Sequence, residues 1–160
     1  MNTAYVLAGS NMGNRLAYLQ EAANVMEEQG GNIIARSSVY ETAAWGFTEQ
    51  PNFYNQSFAV QTQLLPAQFM QTLLNIENTL GRMRTQKMGP RTIDLDVLLF
   101  DELIIQTDFL TVPHPHLEKR RFALMPLAEI AGTIKHPLSG KTVNELLHEC
   151  TDTLEVKKIT

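Results

Sequence analysis

Apolar positions along this chain recur with two periods, and the switches between them mark out the elements. The run TAYVLAGS (3–10) is short, apolar and carries Gly9 near its end, which predicts a first strand. From Asn14 onward Leu16, Leu19, Ala23 and Met26 recur at helical spacing until Gly30-Gly31 supplies a stop. NIIARSSVYET (32–42) reads as a second strand, and AAWGFTEQPN (43–52), with glycine and proline, as a loop. FYNQSFAVQTQ (53–63) alternates like a third strand. Pro66 stands where a helix can begin, and Phe69, Leu73, Ile76 and Leu80 form a stripe that ends at Gly81. A basic loop (82–91) then leads into a strand over 92–100, and DELIIQT (101–107) suggests a turn with a short returning strand. The two prolines in VPHPHLEKRR (112–121) restrain their predecessors and make it irregular. Helices are expected within FALMPLAEIAG and KTVNELLHEC, the latter capped by Thr142 with Val143, Leu146 and Leu147 inward.

The order β-α-β-β-α-β is that of a ferredoxin-like α+β fold: an antiparallel sheet with helices packed on one face. The 160 residues suit a single domain, 1–160, without an internal boundary. No apolar run reaches the roughly 20 residues that span a bilayer. The start MNTAYVLAGSNMGN has no basic leader, and the one cysteine, Cys150, fits a reducing compartment, so a cytoplasmic protein is expected. The net charge of −4 argues against a general nucleic-acid binder. Yet Arg82, Arg84, Lys87 and Arg91 fall in a stretch without acids, and Lys119, Arg120 and Arg121 form a second cluster. Two concentrated basic spots on an acidic chain point to a compact anion.

One strand is chemically out of character. In GPRTIDLDVLLF (89–100) an apolar run is interrupted by Asp94 and Asp96. Side chains two apart share a strand face, so both carboxylates project together while Ile93, Leu95, Val97 and Leu99 take the other side. At about 5 Å and an effective dielectric of ~20, they repel by roughly 3 kcal/mol. Two remedies stay open: a divalent cation held between them, or salt bridges to the neighbouring arginines. A hard cation such as Mg²⁺ takes few carboxylates and leaves its remaining shell to water and phosphates. Arg82, Arg84 and Arg91 bracket a loop whose guanidinium forks suit a polyphosphate. Neither a Walker loop nor Gly-x-Gly-x-x-Gly occurs, and GSNMGN (9–14) is too generic to carry weight. Glu77 sits at the edge of its helix stripe, where a solvated face is the simpler reading. Phe53 and Asn55 share a strand face, a ring and an amide able to stack on a flat heterocycle and read its edge. Phe122, beside the second basic cluster, is either a further stacking ring or a helix anchor, and Trp45 is ambiguous in its loop.

Together these motifs resemble the 6-hydroxymethyl-7,8-dihydropterin pyrophosphokinase family of folate synthesis. The resemblance rests on GPRTIDLDVLLF, on GSN (9–11), SSVYET (37–42), QPNFYNQ (50–56), IENTLGRMR (76–84) and TVPHPHLEKRRF (111–122). It implies a ferredoxin-like enzyme that transfers the β,γ-pyrophosphoryl unit of ATP to the pterin hydroxymethyl group and releases AMP. Asp94 and Asp96 would hold two Mg²⁺ ions, and Arg82 and Arg91 would act on the phosphates, with Arg84 in the same loop. Glu77, Thr111, His114 and Arg120 match nucleotide-side positions. Asn55 matches the pterin-reading amide, Phe53 and Phe122 the flanking rings, and Thr42 and Gly46 the pterin loop. Members often show Pro-Pro-Leu-Gly where this chain has Ala43, Ala44, Trp45 and Gly46; Met88 and Pro115 stand where tryptophan and tyrosine occur. The expected partners are ATP and the pterin alone, with no nucleic acid and no membrane, and the expected state is a monomer. Two rivals are an RNA-binding sheet and a metal-dependent phosphohydrolase; a required pterin acceptor separates the second.

Overall fold

The computed structural model describes residues 1–43, 49–81 and 92–160. The strands are β1 (Asn2–Ser10), β2 (Asn32–Arg36), β3 (Tyr40–Thr42), β4 (Phe53–Thr62), β5 (Asp94–Phe100), β6 (Ile105–Gln106), β7 (Thr111–Val112) and β8 (Val156–Lys158). The helices are α1 (Arg15–Gln29), α2 (Pro66–Thr79), α3 (Arg121–Ala131) and α4 (Val143–Glu149). A 3₁₀ turn covers Leu117–Lys119. Asn14 caps α1 by accepting from the amide of Ala17 at 3.1 Å, and Thr142 caps α4 with Glu145 reciprocating. Pro66 opens α2, where a missing N–H costs nothing.

Strands β5, β1, β4, β3 and β8 lie side by side in that order, all antiparallel, and β2 also borders β4. This is the predicted α+β arrangement, with differences that have physical causes. The strand expected over 32–42 is two pieces, β2 and β3, end to end along β4. Ser37 fills the break: its hydroxyl accepts from the amide of Ser57 at 2.8 Å and its own amide donates to the Ser57 carbonyl. The returning strand expected in 101–107 instead pairs with β7 in a separate two-stranded sheet, whose Val112 joins the core beside β5. Leu16, placed by spacing in the α1 stripe, is exposed, and the buried face is Leu19, Ala22, Ala23 and Met26. The final strand β8 was not foreseen, because VKK has no apolar alternation to announce it.

Helices cover both faces of the sheet, where one face was expected. On one side α1 and α2 pack Met26, Phe69, Leu73 and Ile76 onto Ala4, Val6, Ala8, Phe58, Val60, Leu95 and Val97. On the other α3 and α4 pack Leu124, Leu127, Val143 and Leu146 onto Leu7, Leu98 and Leu99. Leu99 thus joins the aspartate side, against the alternation expected from sequence. The β1–β5 register slips between Tyr5 and Val6, which face Leu99 and Val97, so Leu98 is an extra residue that flips the phase. Glu129 ties α3 to the sheet, accepting from the Tyr40 hydroxyl at 2.6 Å and the Ser38 amide at 2.9 Å. Burial, then this carboxylate, pushes the Tyr40 phenol up to about 12.

Candidate active site

Cross-strand partners share a face, so register alone assembles a row. Gly9 on β1 is opposite Asn55 on β4 and Asp94 on β5; one step along, Leu7 is opposite Ser57 and Asp96. Asn55, Gly9, Asp94 and Asp96 therefore occupy the α3 side of the sheet, beyond the point where Leu7 meets the second core. Both aspartates are half-buried. Among the described residues no cluster of three or more His, Cys, Asp or Glu side chains could hold a metal. Two carboxylates on one face are the kind of sparse oxygen set that could hold Mg²⁺ and leave most of its shell to water and phosphate.

Asn55 is held from the β3 side. It is 3% exposed, and its Nδ2 donates to Thr42 Oγ1 at 2.9 Å, with Thr42 itself 2% exposed. Its Oδ1 extends the other way, over Gly9: a β-carbon there would lie 2.8 Å from Asn55 Oδ1 and 3.4 Å from the Phe53 ring. The expected pairing of Phe53 with Asn55 on one face holds, and Gly9, dismissed from sequence as part of a generic glycine motif, supplies the space both use. Asn11 and Arg15 were also missed. Asn11 donates to Gln50 Oε1 at 2.8 Å and the Pro51 carbonyl at 3.0 Å; Arg15 donates to the Asn52 carbonyl at 2.9 Å and lies 3.7 Å over the Tyr54 ring. They hold the chain entering β4. The one signal for Asn11 was the GSN triplet at a strand end, which does not reach Arg15.

Glu77 is 3% exposed and not on a solvated helix face, which corrects the simpler reading of the stripe. Its Oε2 accepts from the amide of Leu95 at 2.7 Å, between the two aspartates. β5 is the edge of the sheet, so half its amides point away from β1, and Glu77 satisfies one of them.

The segment after β7 runs along the same edge. The His114 amide donates to the Leu98 carbonyl at 2.9 Å, and His114 Nδ1 accepts from the His116 amide at 3.1 Å, leaving Nε2 to carry the proton. Burial, then the charges of Arg120 and His116, push His114 down to about 4, with Asp94 opposing them. A neutral donor, a guanidinium and a carboxylate are thus neighbours. The Arg120 guanidinium lies 5.6 Å over the Phe122 ring, and Phe122 is half-buried against the second core, so the anchor reading holds for part of its surface. Thr111 is engaged within its hairpin, its hydroxyl donating to the Thr107 carbonyl at 3.2 Å. Arg82, Arg84, Arg91 and Gly46, with Trp45 and Met88, lie outside the described residues.

Residues 5–132 match the family model described as 7,8-dihydro-6-hydroxymethylpterin-pyrophosphokinase. The chain is 42% identical over 151 residues to the 2-amino-4-hydroxy-6-hydroxymethyldihydropteridine pyrophosphokinase of Aquifex aeolicus, covering 94% of each. It is 40% identical over 146 residues to the protein of the same name from Bacillus subtilis, covering 90% of this chain and 87% of that one. In structure it resembles the wild-type HPPK-DHPS of Plasmodium falciparum with pteroate, at a TM-score of 0.75 and 16% identity. That match covers 92% of this chain and 42% of the other, less than half its length.

Proposed function

We propose, because this chain belongs to the 7,8-dihydro-6-hydroxymethylpterin-pyrophosphokinase family, that its reaction runs across the row Asn55–Gly9–Asp94. The chain transfers pyrophosphate from ATP to 6-hydroxymethyl-7,8-dihydropterin in folate biosynthesis. The observation that carries the site assignment is the row itself. Neighbouring strands are about 4.8 Å apart, so an amide and a carboxylate one strand removed stand about 10 Å apart. A fused bicyclic heterocycle with a one-carbon arm bridges that distance.

In this reading Asn55 binds the edge of the pterin, oriented by Thr42, and Phe53 and Phe122 flank the ring. Gly46 contributes to the pterin loop. Asp94 and Asp96 hold Mg²⁺, with two ions expected, which when bound neutralises the triphosphate and favours ionisation of the hydroxymethyl oxygen. The chain's own residues orient that oxygen in line with the β-phosphorus, from which AMP departs. His114, in its neutral Nε2–H form, and Arg120 donate to the nucleotide side, where Glu77 and Thr111 also belong. Arg82, Arg84 and Arg91 counter charge developing on the transferred and leaving oxygens. The chain works as one domain, a monomer in the cytoplasm, with ATP and the pterin as its partners and neither nucleic acid nor membrane.

The test is product analysis with ATP, Mg²⁺ and the pterin. AMP formed only when pterin and metal are both present supports the reading; ADP and phosphate without need of pterin point to a phosphohydrolase.

A further inference from the structure

We infer that Gly9 is a specificity-determining residue for the heterocycle: its missing side chain is the notch that aims the Asn55 carboxamide across β1 towards Asp94. This rests on the pterin-binding role proposed for Asn55. Three observations converge on it. Gly9 is the register partner of both Asn55 and Asp94, so it lies between the edge-reading group and the carboxylate. A β-carbon at Gly9 would approach Asn55 Oδ1 to 2.8 Å, closer than real β-carbons come. Asn55 has little freedom to retreat, because its Nδ2 is held by Thr42 at 2.9 Å and the side chain is buried.

The backbone does not itself require glycine here. Gly9 is absent from the positive-φ glycines, Gly13, Gly31, Gly81 and Gly140, and it lies within the paired strand β1. Glycine weakens a strand interior through chain entropy and absent packing. A residue costly to stability and unneeded for conformation is explained by the space it leaves. A methyl group at this position turns or displaces the carboxamide, so the acceptor no longer meets the ring's donors, while the aspartates and nucleotide side are untouched.

The experiment is a binding titration of 6-hydroxymethylpterin, with Mg²⁺ and a non-hydrolysable ATP analogue present, on wild type, Gly9→Ala, Asn55→Ala and the double variant. Gly9→Ala is expected to weaken pterin binding about tenfold or more. Nucleotide affinity and melting temperature should hold or rise. In the Asn55→Ala background the same change should add nothing, because the group it strikes is gone. Unchanged pterin affinity in Gly9→Ala, or an equal loss in both backgrounds, overturns the inference. Loss of nucleotide affinity or of folding in step with pterin affinity also overturns it. Wild type that binds no pterin defeats the underlying functional reading instead.

Discussion

At the scale of single residues, the aspartates were readable because a two-residue spacing on a strand leaves only one geometry. Asp96→Ala is expected to lower turnover at least ~10³-fold, comparable with loss of other phosphoryl-transfer parts. A steady-state assay across Mg²⁺ concentrations checks this, and near-wild-type turnover refutes the metal assignment. His136 is the opposite case, a residue with no signature. It is 3% exposed, and its Nδ1 accepts from the amides of Leu138 and Ser139 at 3.3 and 3.2 Å. Burial lowers its pKa, with Glu118, 3.6 Å from Nε2, partly opposing. The folded chain therefore binds this proton less readily than the unfolded one, so the stabilisation is full above the ordinary histidine value near 6.5 and is lost as pH falls below it. Melting curves between pH 7.5 and 5 should show the decline, and His136→Asn should flatten it. A slope unaltered by the substitution would assign the decline to other groups.

Among elements, the lesson lies in what an edge strand needs. Glu77 was unreadable because its partner is the outward amide of Leu95, and that need exists only once β5 is known to be the sheet's edge. The stripe of α2 was legible from Phe69, Leu73 and Ile76; the polar residue buried beside it was not. The same dependence on pairing hid the extra residue Leu98, which no alternation pattern within 92–100 could reveal. Holding Leu95 in place holds the aspartates on either side of it. Glu77→Ala leaves a buried amide unsatisfied, costing about 1–3 kcal/mol of stability, whereas Glu77→Gln keeps an acceptor and should cost less. If Glu77 also positions the strand, the alanine variant needs more Mg²⁺ for half-maximal rate than the glutamine variant does. Denaturant unfolding and a metal titration of both variants measure the two effects separately. Equal metal requirements would confine Glu77 to a stabilising role.

Over the whole molecule, the two faces of the sheet divide the labour. One is given wholly to the core under α1 and α2; the other is shared between the α3–α4 core and the site row. The division follows from β1 and β4, whose alternating side chains were legible; α3 and α4 were expected as helices but on the same face as the others, and β8 lies in the last 35 residues, the least diagnostic part of the chain. That last strand reaches back to the site. β8 pairs with β3, setting Val156 opposite Thr42, and Thr160 Oγ1 accepts from the Val39 amide at 2.9 Å while Ile159 donates to the Val39 carbonyl at 2.8 Å. β3 is three residues long and carries the threonine that orients Asn55. Without β8, its outer edge loses those partners and Thr42 gains freedom that Asn55 inherits. A chain ending at Leu154 is thus expected to melt at lower temperature and bind pterin several-fold more weakly, with Mg·ATP affinity little changed, because β5 lies at the opposite edge of the sheet. Parallel pterin and nucleotide titrations on the full and shortened chains distinguish this from general loosening, which would weaken both ligands alike.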